Sequence, residues 1–330
     1  MGFTSCELYM LMEAIHYYEI AIYEQIEDMV KYKFKNKQEL EEAVNIWCKD
    51  RDNGMKLYQH ISLWNTVNIK DMSYLFYSKL DFNDNINNWN TSNVENMGKM
   101  FYNCKLFNQN LYNWNTRNVN NMDKMFYNCT LFNQNLSSWN TSNVNNMDSM
   151  FCMCINFNQP LNKWNTRNVK NMESMFYTCE YFNQPLNKWN TGNVNNMDSM
   201  FCSCKSFNQD LSNWDVSNVK YMNFMFSSCI NFNQPLNKWD VSGVTHMHNM
   251  FYKCKVFNQP LNNWDVRQIE SFYCMFYGCL NFNQDINGWK PHSAKSLKYF
   301  LWNTKIKETD IEQLLSSTLD NVYKQDITNL

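Results

Sequence analysis

Tryptophan returns at positions 64, 89, 114, 139, 164, 189, 214, 239, 264 and 289, a period of 25 with no insertion between any two. No other feature constrains the fold as tightly. Phenylalanine keeps the same interval from Phe82 to Phe282, through Phe132, Phe157 and Phe182, and each is followed by an asparagine, among them Asn133, Asn158 and Asn183. An aliphatic residue recurs from Ile86 and Leu111 to Ile286. Fixed self-similarity at this interval marks a stack of repeats, in which one unit cannot bury its apolar face alone and its neighbours supply the core. Trp114, Trp139, Trp164, Trp189, Trp214 and Trp239 are therefore read as a structural ladder.

The spacing within one unit suggests its parts. Met147, Met150, Phe151 and Cys154 stand at i, i+3, i+4 and i+7, the face of a helix of about two turns. The stretch from Phe157 to Thr166 is too short for a second helix and rich in aromatic and amide residues, which predicts an extended segment with a strand near Trp164. A 25-residue unit suits a helix-plus-strand coil of leucine-rich-repeat length better than a propeller blade of about 40 residues. The expected fold is an α/β solenoid, a leucine-rich-repeat-like stack of about ten coils with helical caps at both ends.

Three regions follow: a helical N-terminal cap over residues 1–60, the repeat solenoid over 61–304, and a C-terminal helical cap and tail over 305–330. In the first, Cys6 to Tyr32 has helical apolar spacing, and Asn36 leads a second helix with an acidic first turn that runs to Trp47. At the far end the pattern decays, with Phe272 and Leu297 in the methionine position, and Glu308 to Leu315 reads as a closing helix.

The unit Met-x-x-Met-Phe-x-x-Cys-x-x-Phe-Asn-Gln-x-Leu-x-x-Trp-Asp-Val-Ser-Asn-Val, its main part read most cleanly from Met200 to Val219, resembles the BspA-like leucine-rich-repeat surface proteins, a family also catalogued as a mycoplasma domain of unknown function. The entry to the array, Leu40 to Trp47 and then Ile61 to Thr66, is similar too, and the resemblance covers about residues 34–320. Members of that family occur on bacterial surfaces, in protists and in large DNA viruses of protists. The resemblance implies adhesion or protein binding and carries no catalytic residues. The Asn- and Lys-rich wording favours a protist or a protist virus as the source.

Charge excludes some partners. With 29 basic and 31 acidic residues the net charge is -2, so nothing draws the chain to phosphate backbones, and nucleic acid is not an expected partner. The seven glycines form no phosphate-binding loop, and no run is long and apolar enough to cross a membrane. The start, Met1 to Glu7, lacks a secretory pattern, which favours a cytoplasmic location, whether in a host cell or a virion, and Cys6 stands where a myristoylation signal wants Ser or Thr.

Thirteen cysteines invite a metal or disulfide reading, but eight of them, including Cys129, Cys154 and Cys179, share one repeat position on the apolar face. There a free thiol acts as a small hydrophobe. Helices packed about 8 to 10 Å apart keep such a column too open for disulfides, which need Cα atoms about 4.4 to 6.8 Å apart. The pairs Cys152/Cys154 and Cys202/Cys204 lie two coils apart and cannot share one ion, and His246 and His248 suit a solvated turn. None of the five histidines marks a catalytic break in the pattern, so no enzyme activity, metal or cofactor is expected. Asp215, Asp240 and Asp265 fit turn chemistry.

The recurring asparagines are read as amides bonding the backbone of their own turn and the amide of the next coil. Function then falls to the residues outside the ladders. Lys163, Lys188 and Lys238 precede the tryptophan, and Arg117, Arg167 and Arg267 follow it, forming a basic stripe as candidate partner-binding residues. A tyrosine column at 102, 127, 177, 252 and 277 either packs between helices or stands half exposed as an interface. The expected function is a monomeric, non-enzymatic interaction or adhesion module that presents a repeat surface to a protein or glycan. The alternative is a structural component of a virus particle or cell envelope.

Overall fold

Helix α1, Lys37–Lys49, begins where Asn36 accepts the Glu39 amide on its side-chain oxygen at 3.0 Å, and it turns Leu40, Ala43, Val44 and Trp47 inward. The computed structural model describes residues 18–19 and 31–307. The helical spacing read from Cys6 and the closing helix read from Glu308 lie outside the described residues, as does most of the C-terminal cap. Helix α2, Arg51–Tyr58, follows at once, its first turn capped by Asp50. It passes so close to α1 that a Cβ on Gly54 would sit 3.0 Å from the Trp47 ring, which is why glycine stands there. A short 3-10 turn, Ile61–Leu63, then leads into the first coil.

The coils differ from the expected helix-plus-strand unit. No helix occurs in residues 64–307, and the expected strand near Trp164 is a pair of turns. The parallel pairing sits elsewhere, as single-residue bridges linking Asp71, Asn96, Asn121, Asn146, Asn171, Asn196, Tyr221 and His246 in register.

Met147 to Cys154 shows what replaces the helix. The amides of Met150, Cys152 and Cys154 bond to the carbonyls of Met147, Ser149 and Phe151, closing successive turns at 3.3, 3.1 and 2.9 Å. The intervening amides of Met147, Ser149, Phe151 and Met153 point along the stack to the carbonyls of Asn171, Glu173, Met175 and Tyr177, at 2.7 to 3.1 Å. Half of the N–H groups thus hold the coil's shape and half tie it to the next coil. An eight-residue helix would instead point all of its N–H groups along its own axis and none across to the next coil.

This path requires the third residue of the first and last turns to be left-handed. Ser149 and Met153 have φ of 52° and 61°, and the equivalent pair is left-handed in every coil, always at non-glycine residues except for Gly278. Each such residue costs about 1 kcal/mol, and the inter-coil bonds offset it. Four of the inward residues, at i, i+3, i+4 and i+7, are those a helix would bury, because the turns close on the same three-residue interval.

The interior is continuous. Val144, Met147, Met150, Phe151, Cys154, Phe157, Leu161 and Trp164 are buried, as are their equivalents along the stack. Phe151 stacks on Phe157 within its coil at 4.1 Å and on Phe176 of the next at 5.8 Å, while Trp164 lies parallel to Trp189 at 6.5 Å, 1° between planes. Spacing differs between the sides. Tyr102 and Tyr127 are 4.5 Å apart and Tyr252 and Tyr277 5.1 Å, against 6.4 Å for Trp139 and Trp164. The rings on the tyrosine side thus stack more tightly than the indoles of the interior.

Candidate functional site

The ladder residues spend their polar atoms on the stack. Trp139, Trp164 and Trp189 donate their indole N–H to the carbonyls of Leu111, Leu136 and Leu161, 28 residues back, at 2.9 to 3.1 Å. Trp114, Trp214 and Trp239 do the same with Ile86, Leu186 and Leu211. Each leucine carbonyl already receives the amide that closes its own turn, as Leu136 does from Trp139, so both of its lone pairs are used.

The thiols repeat the device. Cys129, Cys154 and Cys179 donate to the carbonyls of Phe101, Phe126 and Phe151 at 2.9 to 3.0 Å, again 28 residues back. The sequence alone suggests a small hydrophobe here, and the structure adds a hydrogen-bonding part. The helix spacing invoked against disulfides does not apply, since there are no helices to space, yet the described cysteines are free. Burial pushes the thiols of Cys129, Cys154 and Cys179 well up, which keeps them protonated donors.

Asparagine supplies a third ladder. Asn133 Oδ1 accepts the backbone amide of Asn158 and the side-chain amide of Gln159, both at 2.9 Å. Asn158 does so for Asn183 and Gln184, and Asn183 for Asn208 and Gln209. Asp215 accepts the Ser217 amide and hydroxyl within its own turn, and Asp240 the Ser242 amide.

The basic residues stand on the outer turns. Lys163, Lys188, Lys238, Arg117 and Arg167 are exposed. Arg267 is exposed as well, but its guanidinium is held by Asp265 at 2.6 to 3.1 Å, which neutralises one end of the arginine column. Lys163 and Lys188 occupy neighbouring coils, whereas Lys238 stands two coils beyond. None of the six lines the groove that opens on the tyrosine side.

The tyrosine column is different. Tyr102, Tyr127, Tyr177, Tyr252 and Tyr277 are half-buried, stacked where neighbours permit, and Tyr77 is 43% exposed. Cys152 and Cys202 take the place of tyrosine in two coils. Beside this column runs one that sequence reasoning missed: Asp123, Asp148, Glu173 and Asp198 occupy one position in four successive coils. Lys99 pairs with Asp123 at 3.8 Å and Lys124 with Asp148. Glu173 receives only the Asn196 side-chain amide at 2.9 Å, and Asp198 the backbone amide of Asn223 at 2.6 Å with its side-chain amide at 3.3 Å. Burial raises both carboxyls, and for Glu173 the neighbouring Asp148 and Asp198 charges raise it further. The one signal was available in the sequence, the acidic residue directly after the first methionine of each of these units.

In later coils that position passes to Asn223, His248, Tyr273 and Lys298. There the face opens into a groove of about 900 Å³ whose walls are Phe224, Tyr252, Tyr273, Tyr277, Tyr299 and Trp302. Among the described residues no group of three or more His, Cys, Asp or Glu side chains could hold a metal ion, and no helix is long and apolar enough to cross a membrane.

Ladders inside and a changing column on one face define a coil-stacked repeat protein. The profile of a family described as "Mycoplasma protein of unknown function, DUF285" matches residues 49–152, 132–234 and 203–314, and the chain belongs to that family. No curated protein matches it. Among solved structures it is similar to TLR13 in a complex with ssRNA13, at 12% identity and a TM-score of 0.26, covering 74% of this chain and 40% of that one. It is similar also to an internalin, InlF, from Listeria monocytogenes, at 8% identity and a TM-score of 0.22, covering 71% and 80%. The chain thus spans well under two thirds of the TLR13 chain.

Proposed function

We propose that the chain is a non-enzymatic interaction module, of the adhesion type known from BspA-like surface proteins, that presents its tyrosine side to a protein or glycan. One observation carries this reading: the repeat holds inside the stack and breaks on that face. Inward positions keep the same residue types from coil to coil, while the positions of Ser149 and Asp148 become Phe224, Asn249 and Cys274, and His248, Tyr273 and Lys298. A stacked surface whose residues change is what a selective partner can read.

His60 shares its Nδ1 with the Ser62 hydroxyl at 2.8 Å, and His246 shares its own with the Thr245 hydroxyl at 2.8 Å.

The test compares the intact chain with two variants in capture from the source organism, read by quantitative mass spectrometry. Tyr252→Ala with Tyr273→Ala alters the tyrosine side, and Lys163→Gln with Lys188→Gln alters the outer turns. The reading expects a partner that the first variant loses and the second keeps. Loss only in the second would move the interface to the basic stripe.

A further inference from the structure

We propose that the groove beside Tyr277 binds an acidic oligosaccharide, a sugar chain carrying carboxylates of the uronic or sialic type. This rests on the reading of the tyrosine side as the interaction surface and adds a site and a ligand chemistry to it.

The charge along this face changes sign. Glu173 and Asp198, with no ion pair among the described residues, make one stretch acidic, whereas Lys253 and Lys298 stand over two of the rings that line the groove. Neither lysine has a carboxylate partner among the described residues, while nearby Lys295 is already bound to Glu270 at 2.6 Å. Each instead sits over a ring: Lys253 Nζ is 4.9 Å from the centre of Tyr252, and Lys298 Nζ 5.2 Å from that of Tyr299. Cations already placed on those rings repel a cationic ligand and attract an anionic one.

Ring geometry selects the rest of the ligand. Tyr252 and Tyr277 stack at 5.1 Å with 19° between planes. Tyr299 stands edge-on to Tyr277 at 6.4 Å and 89°, and to Trp302 at 5.9 Å and 87°. The walls therefore meet at right angles. A flat aromatic ligand can stack on only one of them. A saturated sugar ring offers C–H groups to a ring face and hydroxyls at its rim, where the phenol groups and the side-chain amide of Asn249 can bond them.

An extended peptide is poorly served here. The amides that would pair with it are taken by the next coil: Asn249 by Tyr273 O at 2.9 Å, Lys253 by Tyr277 O at 2.6 Å, Cys274 by Lys298 O at 3.1 Å and Gly278 by Trp302 O at 2.8 Å. Peptide binding would rest on side chains alone.

Calorimetric titration of the full chain tests this with tetragalacturonate, a hyaluronan tetrasaccharide and 3′-sialyllactose as acidic probes, maltotetraose as the neutral probe and tetraglutamate as the peptide probe. At least one acidic sugar should bind, and binding should fall by about tenfold or more in Lys253→Gln/Lys298→Gln, the scale of a lost charge-assisted hydrogen bond. The Lys253→Gln/Lys298→Gln protein should keep the unfolding midpoint of the unsubstituted chain, and Trp302→Ala, at the half-buried edge, should weaken binding as well. Lys163→Gln/Lys188→Gln should leave it unchanged. Maltotetraose or tetraglutamate binding as tightly as the best acidic sugar overturns the ligand class. If no acidic sugar binds, the inference fails, and the interaction module stands or falls separately on whether the tyrosine-side variant loses a captured partner.

Discussion

The indole N–H of Trp164 donates to the main-chain carbonyl of Leu136, 3.0 Å away and one coil back. That carbonyl also receives the backbone amide of Trp139. One oxygen thereby joins the shape of a coil to its contact with the next. Apolar burial and polar satisfaction are served by the same side chain.

Replacing Trp164 separates the two. Trp164→Ala removes a fully buried ring and should cost about 3 to 5 kcal/mol. Trp164→Phe keeps much of the apolar contact and loses the donor, so its cost should be smaller, with about 1 kcal/mol from the hydrogen bond. Chemical denaturation of both variants measures this. An unfolding midpoint like that of the unsubstituted chain for Trp164→Ala would contradict a buried, bonded ladder.

The thiol column should be silent in the native state. Cys129, Cys154 and Cys179 are buried, and burial holds their thiols protonated, so a thiolate-selective reagent at pH 8 finds neither access nor nucleophile. Alkylation mapped by mass spectrometry should spare these residues natively and label them in guanidinium. Native labelling of Cys154 at the rate of an unfolded control would refute the arrangement.

Glu173 should make stability depend on pH with a definite sign. Burial, then the charge of Asp148, raises its carboxyl in the folded chain, so the fold binds that proton more tightly than the unfolded chain does. Its ionisation opposes folding, and the opposition grows as pH rises through the glutamate range. Glu173→Gln keeps an oxygen to accept the Asn196 amide and removes the charge. The variant should melt higher than the unsubstituted chain at pH 7 and no higher near pH 3.5. Equal melting points at pH 7 would show that the carboxylate is not penalised.

The register of the stack was legible because Trp, Phe, Asn and Cys each keep one interval, and side chains that recur at one interval must meet their own kind. The caps of α1 were legible for the same local reason, Asn36 and the acidic first turn around Glu39. The helix read from Met147 to Cys154 was not separable from what forms there. Successive turns bury i, i+3, i+4 and i+7 just as a helix does, and the difference lies in the left-handed φ of Ser149 and Met153, neither of them a glycine that would have announced it. The strand was sought near the bulky Trp164, whereas pairing settles at Asn146, whose side chain accepts the Asp148 amide and bends the chain there. Of the site, the tyrosine column was visible in sequence. The groove was not, since it depends on how the outward rings of neighbouring coils stand against one another.

The constant offset of the inter-coil bonds has a consequence for how such a chain can change over generations. Bonds reach 24 residues forward or 25, 26 and 28 back, as in Met147 to Asn171, Asn158 to Asn133, Asn143 to Arg117 and Trp164 to Leu136. A duplication or deletion of one whole unit re-forms every such bond with a new neighbour, whereas a gain of one residue within a unit misdirects all of them at once. Heredity can therefore lengthen or shorten this protein by whole coils, and the outward side chains are left to diverge one coil at a time.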